Sequence, residues 1–165
     1  MRTVVSAILA LALTSVACAR SGQTVRAHGV AVTTPADWHR VPAAGDGPIT
    51  DPRTLLVVGT AGVAPKATQC QIGTYRAPSN GALVVIVGWK TATSGGGRIK
   101  PGRWPLKAMT SVRRPSTECF AGRGASASVA LGQRAYQVNV MVGDSASTQR
   151  VAAALAVGRS FRLTP

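Results

Sequence analysis

The sequence predicts an α+β domain: an antiparallel sheet of about six or seven strands, one helix near the C-terminal end packed on it, and one disulfide. Three observations carry this. Short Val-rich runs, apolar or alternating, are separated by Gly, Pro, Asn and Asp turn signals. One stretch alone, 148–157, has helical spacing of apolar residues. Two cysteines, Cys70 and Cys119, remain once the N-terminal segment is set aside. The chain is 45% hydrophobic but only 4% aromatic, so its core is built from small and β-branched side chains, which suit a pleated surface.

Residues 1–19, MRTVVSAILALALTSVACA, read as an export leader. Arg2 supplies the positive start, and Val4 to Val16 is an apolar stretch too short for a span of about 20 helical residues. Two processing sites fit. Ser15-Val16-Ala17-Cys18 resembles a lipobox, with Cys18 lipidated; Ala17-Cys18-Ala19 is an A-x-A site cut before Arg20. The expected location is therefore outside the cytoplasm, either lipid-anchored at the cell membrane or secreted. Cys70 and Cys119 then meet oxidising surroundings and are expected to pair. Closing a loop of about 50 residues is worth roughly 4 kcal/mol on the chain-entropy view.

Residues 20–27 are polar and read as a tether, and 28–165 as a single globular domain. His28 to Thr33 alternates as a first strand. Thr34 to Trp38 is a turn that returns a large aromatic to the sheet, and 42–52 is a Pro- and Gly-rich loop. Thr54 to Gly59 is a buried strand, Gly62 to Thr68 a loop, and Gln69 to Tyr75 a strand carrying Cys70. Asn80-Gly81 signals a tight hairpin into Ala82 to Trp89, the most apolar segment and the expected central strand.

Residues 90–108 break all periodicity and read as a long mobile loop; Met109 to Val112 is a short strand or helical turn. Glu118 to Gly122 is a strand bearing Cys119. Ala125 to Leu131 and Arg134 to Val142 alternate around a Gly132-Gln133 turn. Tyr136, Val138, Val140 and Val142 are assigned to a dry face, and Gln137 and Asn139 to a wet or polar one. Asp144 or Ser145 is the expected N-cap of a helix from Thr148 to Val157, with Val151, Ala154 and Leu155 buried and Gly158 as its C′ residue. Ser160 to Leu163 closes the chain as a strand or docked tail.

Two segments carry a resemblance. The opening strand closed by Pro-x-x-Trp (Val30 to Thr34, then Pro35-Ala36-Asp37-Trp38) and the closing series Arg134 to Leu163 resemble small exported actinobacterial proteins with a PsbP/Mog1-like fold. The leader with Cys18 is similar to that of their lipoprotein members. The chain departs from that pattern after the first hairpin, where a helix is usual and 42–53 is too rich in Pro and Gly. The resemblance implies an accessory or binding role and carries no catalytic residues.

The charge balance narrows function further. Nineteen Lys and Arg face five acids, a net of +14, and the leader removes Arg2 alone. So basic a domain attracts polyanions. Lys90, Arg98, Lys100, Arg103, Lys107, Arg113, Arg114 and Arg123 fall in one stretch opposed by Glu118 alone, with Trp89 and Trp104 interleaved. The anion-binding assignment is Arg98, Lys100, Arg103, Lys107, Arg113, Arg114 and Arg123, with Trp89 and Trp104 as aromatic contacts. The expected partners are anionic lipid headgroups, envelope polymers or an acidic protein, and not nucleic acid.

No catalytic residue, metal or cofactor is assigned. The acids Asp37, Asp46, Asp51, Glu118 and Asp144 form no evident pair, no G-x-S-x-G occurs, and the glycine-rich segments lack a phosphate-loop frame. The expectation is a non-catalytic accessory or binding module with a basic face. The alternatives are a secreted structural or protein-interaction domain whose charge is incidental, and, further off, a small extracytoplasmic hydrolase.

Overall fold

In a computed structural model, residues 22–44, 51–67, 74–94, 97–105, 109–113, 120 and 122–165 are described. The strands are β1 (Gln23–Ala27), β2 (Val30–Thr34), β3 (Trp38–Arg40), β4 (Arg53–Thr60), β5 (Ala64–Lys66), β6 (Thr74–Arg76), β7 (Ala82–Trp89), β8 (Thr93–Ser94), β9 (Gly97–Arg98), β10 (Arg123–Leu131), β11 (Arg134–Val142) and β12 (Arg162–Leu163); helix α1 (Thr148–Arg159) precedes β12. The α+β class holds. The strands do not form one sheet of six or seven. They divide into a five-stranded sheet in the order β10-β11-β7-β4-β3, a three-stranded sheet β1-β2-β12, and the small pairs β5-β6 and β8-β9. All of these ladders are antiparallel.

β7 is the middle strand of the larger sheet, and both its faces are covered. Val84 and Ile86 point into a first core with Val138, Val140, Leu56, Val58 and Trp38, closed by Ala154, Leu155 and Val157 of α1 and by Val30 and Val32 of β2. Helix α1 lies over β7 and β11, and the three-stranded sheet meets β4. Leu83, Val85 and Val87 point the other way, into a second core with Val57 and Met141 under Val41, Ala44, Val63 and Tyr75. A strand dry on both sides needs no polar alternation, hence its unbroken apolar run.

Of the two expectations for the face of Gln137 and Asn139, wet or covered by polar contacts, polar contacts are found on β10 and β11, and a second core covers β7 and β4. Asn139 is fully buried; its Oδ1 accepts from Ser126 Oγ at 2.9 Å, and Gln137 Nε2 donates to the same hydroxyl at 2.7 Å. The polar residues of β10 and β11 thus bond to one another, with Asn139 buried, Gln137 half-buried and Ser126 exposed. Tyr75 is buried as well, and its hydroxyl accepts from Ala44 N–H at 2.9 Å.

Several local expectations change. The tether 20–27 contains β1, which pairs with β2 through Ala27↔Val30 across a two-residue turn, so the first strand is a hairpin. His28 (φ 47°) and Gly29 (φ 77°) both take the left-handed conformation that such a turn requires. Asn80-Gly81 does not join a hairpin, because β6 pairs with β5 and not with β7. In 62–68, Ala64–Lys66 is a strand and not loop. Within 90–108, β8 and β9 form a small hairpin, and Pro101 bridges Ala130. The N-cap of α1 is Ser147, whose side chain accepts from Arg150 N–H. Gly158 lies inside the helix and not beyond it: a Cβ there would come within 2.6 Å of Val140 Cγ2, so this glycine lets the helix approach β11. The leader with Cys18, and Cys70, Cys119, Lys107 and Arg114, lie outside the described residues.

Candidate functional site

The strand order brings three cations to one end of the five-stranded sheet. β4 begins at Arg53, β7 runs out into Lys90, and β11 begins at Arg134. Arg53 and Tyr136 flank Gly88 on its two sides in register, and Ala135 pairs with Trp89, which sets Arg134 beside Lys90. Period-two alternation puts Arg53, Gly88, Lys90, Arg134 and Tyr136 on the same face. They line a half-open cleft of ≈ 460 Å³, together with Asp51, Thr54, Leu55 and Trp89 of the same sheet and His28, Gly29, Leu163 and Thr164 of the three-stranded one.

Two backbone devices open this space. The register of β4 against β7 shifts between Thr54 and Leu56, so Leu55 is the extra residue of a bulge. Its side chain lies over Gly88, where a Cβ would come 2.6 Å from Leu55 Cδ1. The opposite lip is the His28-Gly29 turn, tied to the tail by Thr164 N–H donating to Gly29 O at 2.9 Å. Holding a non-glycine residue at positive φ costs roughly 1 kcal/mol, and here that residue is the His28 on the cleft lip.

The chemistry of the lining is graded. Tyr136 is buried and Leu55 and Trp89 are half-buried, whereas Arg53, Lys90, Arg134 and His28 are exposed. Asp51 is the one acid in the lining, and its Oδ1 accepts from the Lys90 backbone N–H at 3.0 Å. Among the described residues Arg53, Lys90 and Arg134 make no ion pair; Arg150 pairs with Asp37 at 2.7 Å elsewhere. Three cations and one carboxylate line this concavity, which gives it a positive balance of charge. Among the described residues no group of three His, Cys, Asp or Glu side chains could hold a metal ion. His28 and Asp51 share the cleft with Thr54, Tyr136 and Thr164.

The expected basic stretch is distributed differently. Arg98, Lys100, Arg103 and Arg113 are exposed. Lys100 O accepts from Ala130 N–H at one end of β10, and Arg113 bridges Gly124 at the other. Six residue steps of strand, about 20 Å, separate those anchors at Gly124 and Ala130, so the residues adjacent in sequence do not converge on one point. They flank the edge strand, where charge discourages pairing with another sheet. Arg123 is not a free anion contact, because its guanidinium donates to Ala146 O at 3.0 Å. Trp104 is likewise not an open aromatic platform: its Nε1 donates to Arg159 O at 3.0 Å, and its ring meets Phe161 edge-on at 5.4 Å. Trp89, by contrast, lines the cleft.

Sequence reasoning passed over Arg53, Arg134, Leu55, Gly88 and Leu163. The available signal was a basic residue at one end of each of three strands, and it has meaning only once β4, β7 and β11 are known to be neighbours. No protein-family model, curated protein or solved structure matches the chain.

Proposed function

We propose that the protein is an exported, non-catalytic binding module of the cell envelope that takes an anionic envelope component at the cleft. The single observation that carries this is a concavity with Arg53, Lys90 and Arg134 on its rim, opposed by Asp51 alone. The paired strand ends fix the backbone positions of Arg53 and Arg134, with Lys90 directly after β7, so their charges project from one end of the sheet. Anionic lipid headgroups, envelope polymers and an acidic protein all offer the required charge. The leader, with Cys18 as a lipid attachment point or a cleaved residue, supplies the location in this reading; among the described residues no helix is long and apolar enough to cross a membrane.

The proposal includes a Cys70–Cys119 disulfide. Tyr75, five residues after Cys70, and Phe120, next to Cys119, pack against the same second core, so the described chain near each thiol converges on one region. Intact mass of the membrane-fraction protein tests both covalent features. A diacylglycerol adduct supports the anchor, and a mass deficit of a pair of hydrogens supports the bridge; thiols that alkylate fully without reductant overturn the bridge.

The anion reading is tested by sedimentation with phosphatidylglycerol vesicles. Retention at low salt is expected to fall through physiological ionic strength, where the screening length is about 8 Å. Arg53→Ala/Arg134→Ala is expected to lose more retention than the charge-matched control Arg40→Ala/Arg76→Ala on β3 and β6. No retention at low salt, or equal loss in the two double variants, overturns the cleft as the anion site. The second outcome would favour the reading in which the positive charge is incidental, which the dispersal of Arg98 to Arg123 along the sheet edge supports.

A further inference from the structure

We infer that the ligand of the cleft is an amphiphilic anion, a phosphate or carboxylate head carrying a short alkyl or aryl group, bound with the apolar part inward. This rests on the reading of the cleft as an anion site and adds what lies beneath its rim. A bare anion would use the donors and the charge, and apolar walls strengthen the field it meets, but it would leave the apolar floor itself uncovered. Here the floor is Leu55, the Gly88 backbone and the ring of Tyr136, all continuous with the first core. Leu163, 43% exposed, is the exposed large hydrophobic among the described residues, and it stands in this lining.

The depth order gives the ligand its polarity. The buried and half-buried floor, Tyr136, Gly88, Leu55 and Trp89, is largely apolar, whereas the cations Arg53, Lys90 and Arg134 are exposed, with apolar Leu163 exposed beside them. A tail would displace water from Leu55, Tyr136 and Leu163, while the head remained at Arg53, Lys90 and Arg134. The volume of ≈ 460 Å³ falls within the roughly 300–1,000 Å³ of small-molecule sites, which suits a small amphiphile or one short segment of a larger one. Gly88 is the specificity element: a Cβ there would lie 2.6 Å from Leu55 Cδ1, so an added side chain displaces Leu55 and fills part of the floor.

The test is calorimetric titration of the folded protein with octyl phosphate, inorganic phosphate and octyl glucoside. Each methylene taken from water raises affinity about fourfold, so octyl phosphate is expected to bind at least about tenfold more tightly than inorganic phosphate even if few methylenes are covered. It is also expected to bind more tightly than octyl glucoside, which lacks the charge. Leu163→Ser, on the exposed two-residue strand β12, is expected to weaken octyl phosphate and leave inorganic phosphate unchanged. Equal affinity for octyl phosphate and inorganic phosphate overturns the amphiphile and leaves the anion site standing. Equal affinity for octyl phosphate and octyl glucoside, or no binding of any of the three, overturns both.

Discussion

The two ends of the five-stranded sheet use glycine for opposite purposes. At the end where β7 begins, Gly81, Gly122 and Gly143 let backbone lie directly on backbone. Gly143 N–H donates to Gly81 O at 2.9 Å, and a Cβ on Gly143 would come 2.3 Å from both Pro78 O and Ser79 O. Thr60 completes the seal by accepting from Ala82 N–H at 3.1 Å. At the end where β7 finishes, Gly88 faces only the tip of Leu55, and the space above it stays open between Arg53, Lys90 and Arg134. One end is closed by carbonyl oxygens that cannot move; the other is floored by a flexible side chain. Stability should therefore concentrate at the closed end and ligand contact at the open one.

The sharpest way to break that contrast is the same substitution at both ends. Gly143→Ala is expected to cost about 3 kcal/mol, since overpacking against fixed backbone forces the turn apart; urea or thermal unfolding measures it. Thr60→Val comes next. It leaves the buried Ala82 N–H without its partner, and about 2 kcal/mol is expected in the same assay. Gly88→Ala should cost less than about 1 kcal/mol, because Leu55 can rotate away, while the shallower cleft weakens octyl phosphate in titration. A loss at Gly88 equal to that at Gly143 would abolish the distinction between the ends. The smallest stability effect is expected for Arg53→Ala and Arg134→Ala: within about 0.5 kcal/mol of the parent, as for exposed residues generally, with ligand binding reduced nonetheless.

Legibility in the sequence follows the range of the interaction. β7 and β11 were readable because their patterning is local: Ala82 to Trp89 is unbroken and apolar, and Arg134 to Val142 alternates with period two. Helix α1 was readable from Val151, Ala154 and Leu155, but its cap was not, since Asp144, Ser145 and Ser147 all offer a side-chain oxygen and only the path of the chain selects Ser147. The Asn80-Gly81 signal misled because a turn motif specifies a local reversal and not which strands it joins. The basic stretch misled for a related reason. Nearness in sequence between Lys100 and Arg113 becomes separation along β10, whereas Arg53 and Arg134, 81 positions apart, line one cleft.

By itself the sequence determined the α+β class, the central place of β7, the alternating hairpin β10-β11 and the strongly basic character of the chain, because each is written in side-chain type at spacings the backbone reads locally. The tertiary structure alone decided the division into two sheets, the second core, the burial of Asn139, and the meeting of Arg53, Lys90, Arg134 and Leu163 around Gly88. Those features depend on which strand lies beside which. That choice is made by long-range burial of apolar faces, which no local window of residues contains.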